Sequence, residues 1–464
     1  MIKRFIRRVL GLETPGPQRL PQSRHGIRRS SISAGALKVC DVLANHGHTA
    51  YVVGGAVRDL VLGIPPKDFD IATDARPEQI KPLFRRALLI GRRFRLVHVM
   101  LGPETLEVST FRAADNQTSP GREHAPVQVK EHTRVQVKEH TRVLDEHGRV
   151  LRDNVFGTME EDARRRDFTV NALYYDCRSG EIIDFHGGLA DLKRRTMRII
   201  GDPETRFRED PVRMLRAVRL GAKLGLSIDS STRAPIKRLA PLLEHVPPPR
   251  LFEEMLKLLL SGHASAALRQ LRNEGLHKGM LPLLDVILDQ PLGERFVTLA
   301  LAQTDERVLS ERPVSPAFLF AALLWHEVLA AWKAREKHGE RRIPALEAAM
   351  DEVLDAQSGK LAITRRLTAT MREVWAMQPR LEQRSGQRPF RLLEWPRFRM
   401  AYDFLALRAA SGEVPAEIET WWRAFQTADA ETRDAMLLPD TGPRKKRRRR
   451  RRKERADGEA APPE

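Results

Sequence analysis

Cysteine is almost missing from this chain: 464 residues hold only Cys40 and Cys177, far apart and outside any CxxC. Neither a disulfide framework nor a thiolate zinc site is supported, and a reducing, cytoplasmic setting is expected. Long apolar runs are lacking as well. None approaches the roughly 20 residues that cross a bilayer, so an integral membrane protein is not expected. Acidic residues are in deficit, with 61 Asp and Glu against 80 Lys and Arg, a formal net charge of +19. An excess of that size points to a polyanionic partner, either nucleic acid or an anionic membrane surface. Residues 440–464 hold 11 Lys/Arg and 5 Asp/Glu, so +13 of the +19 is carried elsewhere and the globular part is itself basic.

The length exceeds what one hydrophobic core serves and suggests two to four domains. At the start, Ile2, Phe5, Ile6, Val9 and Leu10 fall at helical spacing against Lys3, Arg4, Arg7 and Arg8. That pattern fits a helix making peripheral membrane contact, a targeting sequence or a frayed basic N-terminus. A secretory signal is disfavoured because charges interrupt the apolar stretch. Pro15, Pro17 and Pro21, with Gly11, Gly16 and Gly26, then form a breaker-rich lead-in, so residues 1–32 are expected to be disordered.

Structure is expected from Ser33, a helix N-cap followed by Leu37, Cys40 and Ala44 until Gly47. Next come a strand at Tyr51–Val53, a tight turn at Gly54-Gly55, a helix from Ala56 to Leu62, and a strand from Phe69 to Thr73. Further strands are predicted at Leu96–Leu101 and Thr105–Arg112. Residues 113–153 read as a flexible insertion, in which the octapeptide of residues 127–134 recurs unchanged at 135–142; it is assigned no chemistry. Beyond Ile199 the signals are helical, for example Pro211–Leu224, Leu251–Leu260 and Pro316–Trp332. From Arg444 to Lys453 every residue is Lys or Arg, a self-repelling block that reads as an unfolded tail. The expected organisation is α+β: a head over 33–198 with a mixed sheet and flanking helices, a helical neck over 199–262, an all-α body over 263–438, and the Arg-rich tail over 439–464.

Chemistry concentrates in Val53-Gly54-Gly55-Ala56-Val57-Arg58-Asp59 and Lys67-Asp68-Phe69-Asp70. Two glycines between a strand and a helix let the backbone approach a phosphate that the helix N-terminus attracts. Arg58, one turn into that helix, can add a charge-assisted fork. On an extended strand Asp68 and Asp70 project from one face roughly 7 Å apart along the chain, as hard oxygen ligands suited to Mg²⁺. Two such ions about 3.5–4 Å apart could clamp both oxygens of an in-line phosphoryl displacement. Glu107, opposite in facing to Leu106 and Val108, is a second-tier candidate for the same metals, and Arg112 a phosphate contact.

Strand, double glycine, helix and Asp-x-Asp in this order resemble the polymerase β-like nucleotidyltransferases, in particular the class II group of CCA-adding enzymes and bacterial poly(A) polymerases. The resemblance is spread over roughly Ser33 to Leu260. Arg165-Arg166-Asp167-Phe168-Thr169-Val170-Asn171-Ala172 looks like the family's RRDFTxNA. By resemblance Arg166 would bind nucleotide and Asp167 would be the third active-site acid, while the Asn171 amide could contact phosphate or ribose. Glu209-Asp210-Pro211-Val212-Arg213-Met214-Leu215-Arg216 resembles EDxxRxxR, in which the acid and arginines read the base edge as a protein template. Here Asp210, Arg213 and Arg216 rise in steps of three along one stripe.

Residues 89–99 (LIGRRFRLVHV, with Arg92, Arg93 and Arg95) resemble the signature that separates poly(A) polymerases from CCA-adding enzymes, and Pro248–Leu260 and Phe390–Leu407 resemble the polymerase body. The resemblance thus implies template-independent addition of AMP from ATP to RNA 3′ ends, with Mg²⁺ or Mn²⁺ as cofactor. RNA 3′ ends would be bound largely without sequence preference, and RNA-degradation or RNA-chaperone proteins are implied as partners. Two rivals stay open: a CCA-adding tRNA nucleotidyltransferase, and an RNA-binding protein on an inactive scaffold. Deleting residues 444–464 is expected to weaken RNA affinity and flatten its salt dependence, because cations that release counterions are removed. Catalysis on a saturating short primer should survive, which primer extension and binding titrations at several salt concentrations would check.

Overall fold

Eight short strands with alternating or β-branched cores assemble into one mixed sheet: β1 (Gln18–Leu20), β2 (Ala50–Val53), β3 (Asp70–Thr73), β4 (Ala87–Ile90), β5 (Leu96–Leu101), β6 (Glu104–Thr110), β7 (Leu173–Asp176) and β8 (Ile182–Asp184). The computed structural model describes residues 16–91, 95–113, 143–144, 150–152, 155–277, 291–358 and 361–439. The first fifteen residues, Arg92 and Arg93, the duplicated octapeptide and the Arg-rich run lie outside them. The strand order is β1-β8-β7-β2-β3-β6-β5-β4. All neighbours are antiparallel except β3 and β6, which run parallel with Asp70 opposite Glu107 and Ile71 opposite Val108. Alternation does the sorting: Leu106 and Val108 are fully buried while Glu107 between them is exposed.

Within the described part of the lead-in, residues 16–32 are ordered, in contrast to the disorder expected there; residues 1–15 lie outside the described residues. Gln18–Leu20 pairs antiparallel with Ile182–Asp184 and closes one edge of the sheet, and Ile27 and Ile32 enter the core. Arg29 hydrogen-bonds the carbonyl of Cys177, and the His25 ring lies 3.0 Å from the carbonyl of Gly180. Prolines suit such an edge, where one side of the strand needs no partner.

Helix α1 (Ala34–Asn45) begins as expected, with Ser33 Oγ accepting from Ala36 N at 3.0 Å, and buries Ala36, Val39, Cys40 and Leu43. Cys40 and Cys177, remote in sequence, are hydrogen-bonded neighbours beneath α1. That bond and burial hold the Cys40 thiol above its ordinary pKa. Helix α2 (Gly55–Val61) follows the glycine turn, and α3 (Met159–Arg165) starts at a Thr158–Glu161 capping box. Beyond the sheet, α4 (Pro203–Glu209), α5 (Val212–Leu224) and α6 (Pro248–Leu259) form the predicted neck. Further on, α7 (Pro316–Lys337) corrects the reading that no run is apolar and long enough for a bilayer. It meets that test by length and composition, yet two-thirds of its apolar window is buried within the protein, as befits a core helix.

The segment read as one body over 263–438 is divided: the chain forms two compact units, Met1–Met371 and Arg372–Glu464. The second carries its own core. Trp422 and Phe425 are fully buried with Met377, Leu381, Phe398, Tyr402 and Leu405, and Trp422 Nε1 donates to the Leu381 carbonyl at 2.7 Å.

At the end of β8, Asp184 accepts from the backbone N–H groups of His186, Gly187, Gly188 and Leu189, at 2.9–3.0 Å. This turn presses Gly188 onto the chain, where an added Cβ would overlap the Thr169 carbonyl oxygen. Since that obstacle is backbone, Gly188→Ala is expected to cost about 1–3 kcal/mol. Thermal unfolding should show it as a lowered melting temperature.

Candidate active site

Between β2 and α2, Gly54 takes φ 76° and ψ −126°, a region that side-chain-bearing residues rarely adopt. Its N–H donates to the Leu173 carbonyl at 3.1 Å. A Cβ here would meet Arg166 Nη1 at 3.4 Å, an ordinary contact, so it is the backbone angle that calls for glycine. Arg58, expected to fork onto a phosphate, is 5% exposed and already committed. Its Nε and Nη2 reach Asp59 Oδ1 at 2.7 and 2.6 Å, and Nη1 donates to Asn171 Oδ1 at 2.5 Å. The helix aims it inward, where it braces α2 against the segment that carries Asp167.

Asp68 lies before β3, not in it, since the strand begins at Asp70. Phe69 between them is buried while both aspartates are exposed, the alternation of an extended segment. In register with Asp70 across the parallel pair stands Glu107, whose Oε1 is 3.3 Å from His98 Nε2 on β5. Asp70 opens to solvent on one side, but burial on the other, then the Glu107 and Asp68 charges, push its carboxyl up to about 6 against the pull of Arg166. Crowded hard oxygens that ionise reluctantly suit a divalent cation, which relieves the repulsion. Among the described residues no three His, Cys, Asp or Glu side chains could hold an ion by themselves. An ion there needs water or phosphate ligands as well, the habit of Mg²⁺.

Arg166 faces the glycine turn from the end of α3. Its Nε and Nη2 bind Asp162 Oδ2 at 3.2 and 3.0 Å, Nε donates to the Tyr174 hydroxyl at 3.0 Å, and the guanidinium lies 5.2 Å from the Tyr174 ring centroid. Tyr174 in turn donates to Asp162 Oδ2 at 2.7 Å. Burial alone would raise the Asp162 carboxyl, but Arg166 and the Tyr174 hydroxyl hold it below its ordinary value. Asp162 and Tyr174 escaped the sequence reading, although Asp162 stands four residues before Arg166 on a helix, the spacing of an ion pair. Arg112 is placed beside the same acid, its backbone N donating to Asp162 Oδ1 at 3.3 Å.

Asp167, expected as the third acid, is held by donors on both of its oxygens. Its Oδ2 accepts from Arg216 Nε and Nη2 at 2.8 and 2.6 Å, and its Oδ1 from Asn171 Nδ2 and Phe168 N at 3.0 and 2.7 Å. Burial pushes its carboxyl up; Arg216 and the other donors overcome this and hold it well below the carboxylate range. The acid in strand register with Asp70 is Glu107.

The stripe expected from Asp210, Arg213 and Arg216 is broken at its first member, because Asp210 is extended (φ −150°) and precedes α5. Arg250 Nη2 donates to Asp210 Oδ2 at 2.6 Å. Arg213 Nη1 donates to Glu209 Oε2 at 2.9 Å and to the Arg206 carbonyl at 2.7 Å. Arg206, lowered to about 10 by burial and by Arg213, also donates to the carbonyls of Arg165 and Arg166 at 2.7 Å. Glu254 on α6, 6% exposed, receives Arg219 at 3.3 Å and stands 3.7 Å from Arg216. The braces Arg206, Arg250 and Glu254 had no sequence signal, since each acts across elements.

Solved structures of CCA-adding enzymes share this architecture. The Bacillus stearothermophilus enzyme in complex with CTP is 28% identical, with a TM-score of 0.53, over 84% of this chain and 80% of that one. A CCA-adding enzyme in its apo form II gives 0.56 at 19% identity over 89% and 88%. Fold and site therefore define a nucleotidyltransferase of the kind that uses a nucleoside triphosphate with a divalent metal. The poly(A) polymerase head domain matches residues 50–198, the probable RNA- and SrmB-binding site of polymerase A residues 225–288, and the polymerase A arginine-rich C-terminus residues 338–456. Poly(A) polymerase I of Salmonella typhi is 42% identical over 96% of both chains, and that of Escherichia coli 44% over 94% of this chain and 93% of its own. The CCA-adding enzyme of Geobacillus stearothermophilus matches at 37% over 52% of this chain and 53% of its own. This chain belongs to the poly(A) polymerase family.

Arg216→Gln would strand the buried Asp167 carboxylate and is expected to cost about 3 kcal/mol at neutral pH. Asp167 has a depressed folded pKa, so its contribution is complete above its unfolded value of about 3.9 and is lost as the pH falls through the folded one. Urea unfolding from pH 7 down to 3 should therefore show the gap between variant and wild type narrowing below about pH 4.

Proposed function

We propose that this chain adds AMP from ATP, without a template, to the 3′ ends of RNA in the cytoplasm, using Mg²⁺ held by Asp68 and Asp70 together with water and phosphate oxygens, with Glu107 in register beside Asp70. The observation that carries the reading is that Asp70 pairs with Val53 just before the glycine turn and stands in register with Glu107, where the charges of Glu107, Arg166 and Asp68 all bear on it. When bound, the cation lowers the pKa of the RNA 3′-hydroxyl and stabilises the departing pyrophosphate. The Gly54-Gly55 backbone admits the triphosphate close to the start of α2, and Arg166, oriented by Asp162 and Tyr174, offers it a cationic contact. Arg58 and Asn171 brace the turn from behind. Asp167 and Arg216 tie the sheet side of the site to α5, so the nucleotide meets the neck in one geometry.

Asp210 and Arg213 separate adenine and cytosine, which share one donor–acceptor order, from uracil and guanine. Adenine presents a donor at N6 beside an acceptor at N1, which a carboxylate and a guanidinium complement; uracil and guanine present the reverse order and leave both unpaired. Arg250 and Glu209 hold these two side chains before the base arrives. The basic helical region binds RNA through its backbone, with affinity that falls steeply with salt.

Primer extension with each nucleoside triphosphate supplied separately tests the assignment. Long products with ATP alone are expected. CTP incorporation as ready as that of ATP, ending after three additions, would instead identify a CCA-adding enzyme. Asp68→Ala, Asp70→Ala and Glu107→Gln should each lower AMP incorporation about a thousandfold or more while RNA affinity stays near wild type. Unchanged incorporation would show that these acids do not hold the reacting centre.

A further inference from the structure

In the second unit one aromatic ring is left facing water. Trp375 and Trp422 are fully buried and Trp421 is half-buried, donating from Nε1 to the Met436 carbonyl at 2.9 Å. Trp395 is 39% exposed, and among the described residues it is the one aromatic ring in the exposed large apolar set. It stands in the bend between α8 (Arg388–Leu393) and α9 (Phe398–Ser411). The bend is held on both sides, since Trp395 N donates to the Leu392 carbonyl at 3.1 Å and its own carbonyl accepts from Phe398 N at 2.9 Å. Pro396 restricts it further. Behind the ring, the guanidinium carbon of Arg380 lies 4.9 Å from the centroid.

The surrounding charge is uneven. Arg397 and Arg399 are paired, with Glu373 at 3.2 Å and Asp403 at 3.1 Å. Arg388 and Arg391, one turn apart on α8 and the second one turn before Trp395, are exposed and pair with no acid among the described residues. A bilayer would ask for a wider apolar surface than one indole and the exposed Leu438 provide. An acidic peptide would satisfy the arginines and leave the ring unused. A nucleotide joins a flat π-face to a phosphate and matches both features.

We propose that Trp395, backed by Arg380, is a stacking platform for an unpaired base of the RNA strand, with Arg388 and Arg391 taking the flanking phosphates. This rests on the RNA-handling reading above and adds a named contact to it. A rigid ring loses little entropy when a base settles on it, and every base has a face to offer, so the platform holds RNA without selecting its sequence.

The test uses the full chain and fluorescence anisotropy with two strands of equal length, an unstructured oligoadenylate and its abasic counterpart. Trp395→Ala is expected to bind the oligoadenylate about tenfold more weakly, to bind the abasic strand as wild type does, and to keep the wild-type salt slope. Trp395→Phe should recover most of the loss. The Arg388→Gln/Arg391→Gln double variant should weaken both strands alike and reduce the salt slope. Matching melting curves would show that the variants are folded. Unchanged oligoadenylate binding by Trp395→Ala, or an equal loss on both strands, would overturn the platform alone. Failure of the wild type to bind either strand would overturn it together with the reading on which it rests.

Discussion

The parallel pairing of β3 with β6 is the constraint on which the site depends. It sets Asp70 opposite Glu107, and it holds them there because Ile71 and Val108, the next residues along, are fully buried on the other face. A one-residue slip would turn the carboxylates into the core and the aliphatic side chains into water. The hydrophobic core therefore enforces a like-charge contact that the acids themselves would avoid. The carboxyl of Asp70 is raised first by burial and then by that neighbouring charge, and a divalent cation with a triphosphate would relieve both.

A second layer of contacts keeps the surroundings of the acids rigid. Arg58 with Asp59 and Asn171, Asp162 with Arg166 and Tyr174, and Asp167 with Arg216 are buried or half-buried ionic groups whose lone pairs and protons are largely matched within the protein. Such groups add little net stability over apolar packing, but each is costly to misplace, so they favour one arrangement. The chain links through Asn171, which accepts from Arg58 and donates to Asp167. The glycine turn, the 168–172 segment and α5 are thereby coupled, and the triphosphate and the base are met by parts of one framework.

Much of this was legible in the residue order. Helix α1, the glycine turn, β3, β5, β6 and α5 were all readable, because apolar period, caps and glycines act over a few neighbours. The motif residues were legible too, as types of chemistry. Their surroundings were less so: nothing in the residue order showed that Arg58 bonds Asp59 and Asn171, that Asp167 bonds Arg216, or that Glu107 stands in register with Asp70. The edge strand Gln18–Leu20 was hidden because its partner, Ile182–Asp184, lies far along the chain.

Residue order by itself determined the composition of the site: which carboxylates, guanidiniums and glycines exist, and on which kind of element each rides. Tertiary structure alone decided which of them meet. Asp70 and Glu107 are brought together by strand pairing, Asp167 and Arg216 by the packing of α5 on the head, and Cys40 and Cys177 by the seating of α1. The physical reason is range. Propensity and periodicity are settled within a turn or two, whereas the burial that selects among long-range pairings is settled only when the whole core closes.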